Sequence, residues 1–187
     1  METFTAIQMR RSVRAYDSRK IPPAIMQRLL DSLRIAPSGW NNQPWKFILV
    51  QDSSVKAELA QACKKQMWIA EAPLIVVGCG YPEKAYKTMG GYGNSVEIDL
   101  AIALDHLSIA AVGEGLGTCW IGGFDEKTVK KLLGVPSEVK VVALMPVGFP
   151  QKNEQIYPKN EKKRKKPEEI FIQNRWDYPC CLDASHK

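Results

Sequence analysis

The chain has 187 residues, 45% hydrophobic and 25% charged, with a formal net charge of +6; that is enough for one substantial core and too little for two ordinary domains. No apolar run is long enough to span a membrane, and the opening Met-Glu-Thr-Phe-Thr has no charged leader followed by a hydrophobic core, so a soluble cytoplasmic protein is expected. Six of the cations crowd into Lys159–Lys166, which argues against a broad nucleic-acid face, and five cysteines without a Cys-x-x-Cys pair indicate neither a zinc ribbon nor a disulfide scaffold.

In chain order, Thr3 to Arg10 has Phe4, Ile7 and Met9 apolar and reads as a short amphipathic helix with Thr3 as its cap. It delivers Met-Arg-Arg-Ser-Val-Arg-Ala-Tyr, Met9 to Tyr16, where three arginines and a hydroxyl crowd together. Ile21-Pro22-Pro23 opens a second helix, because proline suits the first turn, and Ile25, Met26, Leu29, Leu30 and Leu33 form its apolar stripe. Pro37 stops it. The amide-rich loop Ala36–Trp45 then feeds a strand over Trp45–Val50, and a helix from Ser54 to Lys64 carries Val55, Leu59 and Ala62.

Ala72–Cys79 is a continuous apolar run rich in branched side chains, as expected of a strand covered on both faces at the sheet centre. Tyr81–Tyr92 mixes charge, aromatics and Gly90-Gly91 without a period, which suits a mobile segment near a substrate. Ser95–Glu114 is apolar on almost every face of a long helix. Such a helix must be surrounded, so part of it is expected to pack on a second copy of the chain. Leu116–Ile121 reads as a short strand ending in Gly122-Gly123. Asp125 caps a helix through Leu133 that Gly134 and Pro136 close, and Val139–Phe149 is another buried strand. The tail from Phe171 to Lys187, with Trp176 and Tyr178, is too apolar for a plain linker.

Two of these stretches carry candidate chemistry. Guanidinium groups offer a planar fork of donors and keep their charge, so Arg10, Arg11 and Ser12 suit a phosphate and Arg14 another anionic group; a solvated basic turn is the plainer alternative. Asn and Gln side chains each bear a donor and an acceptor, the complement of a heterocycle with alternating C=O and N–H groups, although the Ala36–Trp45 loop is also ordinary turn chemistry.

Together with Gly117-Thr118-Cys119-Trp120-Ile121-Gly122-Gly123-Phe124, these stretches, in this order and spacing, resemble the nitroreductase family of FMN-dependent oxidoreductases from about Gln8 to Ile170. The resemblance implies an α+β fold with a central mixed, mainly antiparallel sheet flanked by helices, in an intertwined homodimer with FMN at the subunit interface. Residues 1–170 would form the FMN-binding domain, and 171–187 an extension lying on the partner. It further implies that Arg10 and Ser12 bind the FMN phosphate with help from Arg11, and that Lys162 and Arg164 reach it from the basic run. Arg14 matches a position near the pyrimidine edge of the ring, where a fixed cation favours the reduced anion. Gly122 and Gly123 match the point where backbone N–H groups approach N5 and O4, although some relatives carry an acidic residue at the Gly122 position. Pro37, Ser38, Gly39 and Asn41 match residues that reach the flavin from the other subunit, Gln43 supports that loop, and Gln66 precedes the Ala72 strand at a distance where relatives often place an amide or cation toward the ring.

The implied reaction is ping-pong reduction of a small electron-poor acceptor, a nitroarene or quinone, by NAD(P)H. No protein side chain is nominated as catalytic and no metal is expected. Other readings remain on the same residues: an FMN-binding module without turnover, enone reduction or dehalogenation on the same scaffold, or a basic nucleic-acid binder using Lys162–Lys166.

Overall fold

The computed structural model describes residues 1–152 and 164–176. They fall into two compact units, one within Met1–Tyr157 and the other within Pro158–Lys187. Lys162, Tyr178, Cys180 and Cys181 lie outside the described residues.

The first unit is built on a four-stranded sheet of order β1-β2-β4-β3, from β1 (Trp45–Val50), β2 (Leu74–Gly80), β3 (Gly117–Thr118) and β4 (Lys140–Gly148). All three pairings are antiparallel, and a single parallel bridge from Ser12 to Thr118 makes the sheet mixed. Every residue of β2 is buried, as its unbroken apolar run requires. Because side chains alternate along a strand, Leu74 and Val76 face one layer and Ile75, Val77 and Cys79 the other.

The first layer is made by α2 (Pro23–Arg34) and α4 (Val96–Gly113), whose Leu29, Leu33, Leu104 and Leu107 pack on that side of the sheet. The second is made by α3 (Ser53–Ala62) and α5 (Glu126–Leu133), through Leu59, Cys63 and Val129. Each fully buried Leu contributes on the order of 1.5–3 kcal/mol of apolar transfer. In β4 the alternation slips: Val141 faces the second layer, whereas Ala143 faces the first. The cause is a register shift opposite Gly78 and Cys79, where Val142 is the extra residue and turns toward Ala85, Val96 and Leu100.

Three local expectations are corrected. The short helix α1 (Thr3–Met9) is capped by Glu2, not Thr3, because the Glu2 carboxylate accepts from the Phe4 and Thr5 N–H groups at 2.9 and 3.0 Å. Helix α3 stops at Ala62 because Lys64 and Lys65 both turn left-handed, each with φ 56°. The strand expected over Leu116–Ile121 is only two residues long, and Ile121 returns to the sheet as an isolated bridge to Leu144. Within Tyr81–Tyr92, Pro82–Lys84 forms a turn of 3-10 helix, and Gly90 and Gly91 take the positive φ of a tight turn between Met89 and Gly93.

Helix α4 buries Leu100, Ala103, Leu104, Leu107 and Ala111 completely within its own chain, while Ile98 stays 45% exposed. No helix among the described residues is long and apolar enough to cross a membrane. Pro167–Glu169 of the second unit form a turn of 3-10 helix in which the Glu169 carboxylate accepts from the Lys166 N–H at 2.8 Å.

Candidate functional site

The arginine segment is tied to the fold by isolated bridges, Ser12 to Thr118 and Tyr16 to Pro150. Where α1 ends, Arg10 N–H donates to Ala6 O, and the Val13 N–H then donates to Thr118 O at 2.9 Å. Farther on, Asp17 N–H donates to Phe149 O at 2.7 Å, and Gln151 Nε2 donates to Tyr16 O at 3.1 Å. Val13 points inward, 1% exposed, and its neighbours Ser12 and Arg14 are half-buried and exposed; the alternation ends before Tyr16, which is buried again at 2%. Tyr16 is held by its hydroxyl on Val13 O at 2.8 Å and by stacking on Trp68 at 6.4 Å.

Arg10, Ser12 and Arg14 all act on Cys119, which follows β3. Burial pushes the Cys119 thiol up, while the Arg14 charge, a hydrogen bond with Ser12 and the Arg10 charge all pull it back down. Ser12 thus reaches the Cys119 sulfur as a hydrogen-bond partner, and Arg10 and Arg14 lie near enough to act on it through their charge. From there, Trp120 and Ile121 lead directly to the glycine pair.

Gly122 and Gly123 are required neither by positive φ nor by internal crowding. A Cβ at Gly122 would meet only the Trp120 indole, at 3.6 Å, and one at Gly123 only the Lys64 side chain, at 3.5 Å. Gly117 is different: a Cβ there would lie 2.4 Å from Val13 Cγ2. The bare backbone of Gly117 is what lets the arginine segment lie against β3, a role that its sequence neighbourhood does not signal.

The amide loop is a tightly bonded turn. The Asn41 N–H donates to Ser38 O at 2.9 Å, the Gln43 N–H to Ser38 Oγ at 2.9 Å, and Gln43 Nε2 to Asn41 O at 3.2 Å. Gln43 therefore braces the loop from within, and Pro37, Asn41 and Gln43 are exposed. Gln66, by contrast, has its amide donor engaged on Cys63 O at 2.9 Å, at the end of α3.

The sheet register separates the two motifs. Ser12 bridges Thr118, Thr118 pairs with Val147, and Val147 pairs with Leu74, the first residue of β2. The loop enters β1 at Trp45, which pairs with Gly80, the last residue of β2, and Pro44 O accepts from Tyr81 N–H at 2.8 Å. The rise of β2 from Leu74 to Gly80 puts roughly 20 Å between them. Arg164 belongs to the second unit.

The buried thiols are chemically quiet. Burial pushes Cys63 and Cys79 up to about 11, so almost none of either is the reactive thiolate until the pH approaches that value. Native protein treated with a maleimide at neutral pH is expected to leave Cys63, Cys79 and Cys119 unmodified, and all three should label in denaturant. Peptide mass spectrometry reads both results.

Comparison with known proteins agrees with this architecture. The NADH dehydrogenase of Thermus thermophilus is 28% identical over 187 residues, covering 84% of this chain and 90% of that protein. The iodotyrosine deiodinase of Thermotoga neapolitana is 27% identical over 186 residues, covering 84% and 94%. Among solved structures, the NADPH:FMN oxidoreductase of Vibrio harveyi, complexed with NAD+, superposes with a TM-score of 0.79 at 26% identity, covering 93% of this chain and 77% of its own. The family model "Nitroreductase family" matches residues 7–91 and 81–149, spanning the arginine segment, the amide loop and the glycine pair, and the chain belongs to that family of oxidoreductases.

Proposed function

We propose that the protein is an FMN-dependent NAD(P)H oxidoreductase whose flavin sites are each assembled from two copies of the chain. The observation that carries this reading is the separation along β2. Arg10, Ser12 and Arg14 lie at one end of the strand and the Ser38–Gln43 loop at the other, roughly 20 Å away. A loop brought by a second copy would let one ligand meet both.

The residues fit FMN in three respects. The phosphate would be held by Arg10 and Ser12, with Arg11 the adjoining cation in the sequence. Arg14 provides positive charge for the pyrimidine edge, where negative charge gathers on reduction. Gly122 and Gly123 leave an uncrowded backbone to which a flat ring can come close. When bound, FMN supplies the redox chemistry, taking a hydride from NAD(P)H and returning electrons to an electron-poor acceptor such as a nitroarene or quinone. The protein's work is to bind and orient the ring and to set its potential.

Purified protein supplied with FMN is expected to be a yellow dimer whose visible absorbance bleaches under NADH or NADPH without oxygen and returns when an acceptor is added. A panel of nitroarene, quinone and iodotyrosine identifies the acceptor class. Absorbance that persists under both reductants would mean a flavin carrier without turnover, and a colourless monomer would end the proposal.

A further inference from the structure

Building on the two-copy reading above, we infer that Asp99 is a positioning residue that acts in trans, fixing the shape of the loop that one subunit presents to its partner's flavin. Asp99 lies in the first turn of α4 and is 2% exposed. One carboxylate oxygen accepts from the Gly39 N–H at 2.9 Å and the other from the Ser95 hydroxyl at 2.7 Å. Ser95 is itself fastened to Tyr86: its Oγ accepts from the Tyr86 N–H at 3.2 Å, and its own N–H donates to Tyr86 O at 2.9 Å.

A buried carboxylate is costly to keep without compensation. Here it is met by these two hydrogen bonds and by the positive end of α4.

The loop fastened this way is strained. Trp40, Asn41 and Gln43 have φ of 53°, 56° and 47°, a conformation that costs on the order of 1 kcal/mol or more at each non-glycine residue. Gly39 is wedged so tightly that a Cβ would lie 2.8 Å from Tyr86 Cβ. Yet the strained residues bury little of their own: Trp40 is 83% exposed, and Asn41 and Gln43 are exposed as well. The chain devotes a buried carboxylate to holding outward-facing side chains in an unfavourable conformation. That shape presents Trp40, Asn41 and Gln43 outward, to a surface the loop meets elsewhere, which on the two-copy reading is the flavin edge across the dimer.

Complementation tests this. Asp99→Ala and Arg10→Ala homodimers are each expected to bind FMN at least tenfold more weakly than wild type. Asp99→Asn, whose amide can still accept from Gly39 and donate to Ser95, should recover most of the affinity.

Co-expressing Asp99→Ala and Arg10→Ala chains with different tags yields a doubly tagged heterodimer. If Asp99 acts in trans, one of its sites combines a wild-type arginine segment with a wild-type loop and the other carries both defects. The heterodimer should then take up about one FMN per dimer at wild-type affinity. If Asp99→Ala does not fold, Gly39→Ala breaks the same contact and replaces it; if Arg10→Ala proves silent, Gly117→Ala replaces that chain.

Wild-type binding combined with two weak sites in the heterodimer, or an Asp99→Ala homodimer that binds like wild type, overturns this inference alone. A wild-type chain that stays monomeric or takes up no FMN overturns the two-copy reading, and this inference with it.

Discussion

Replacing Arg10 with Ala is expected to weaken FMN binding by about 1.5–3 kcal/mol, the range for a charge-assisted hydrogen bond, which is about one to two orders of magnitude in Kd. The reason is geometric. Arg10, Ser12 and Arg14 all act on the Cys119 thiol, and the segment that carries them is tied to β3 through Val13 and to residues 149–151 through Asp17 and Gln151. The backbone that carries the charge is thus fixed before any ligand arrives. Lys165→Ala should cost almost nothing. Fluorescence titration of the apoprotein with FMN measures both; equal affinity for the two variants would place the phosphate elsewhere.

Gly117→Ala should have a comparable effect by a different route. Its new methyl would lie 2.4 Å from Val13 Cγ2 and 2.8 Å from Val13 Cβ, and a branched side chain has few rotamers with which to escape. Val13 is buried, and the two backbones are joined by the Val13 N–H to Thr118 O bond. The strain is therefore relieved by lifting the arginine segment off β3. Overpacking of this kind costs about 1–3 kcal/mol of stability, read by urea denaturation. Displacing the arginines should add a loss of flavin affinity of about 1.5–3 kcal/mol, one charge-assisted contact. Gly113→Ala is the control: at this exposed position at the end of α4 an added methyl would have no neighbour within 4 Å, and φ is not positive, so the change should be neutral or slightly stabilising. Equal effects at the two glycines would refute the wedge.

Much of this protein was legible from sequence because the signals are local. The apolar run at Leu74–Gly80, the proline-led stripe of α2 and the Asp125 cap with its Gly134 stop each follow from side-chain period or backbone geometry over a few residues. The arginine segment, the amide loop and the glycine pair were visible for the same reason, since their chemistry resides in residue type. Three features were not. The Glu2 cap was hidden because a carboxylate can substitute for a hydroxyl one residue earlier. The role of Gly117 was hidden because the side chain it admits, Val13, lies far away in sequence. The Asp99 anchor was hidden inside an apolar helix, where its partner Gly39 is separated from it by two strands and a helix. Residue type alone indicated which groups suit a ligand; only strand register, which is a property of distant pairings, decided that the arginine segment and the amide loop meet the sheet at opposite ends of β2.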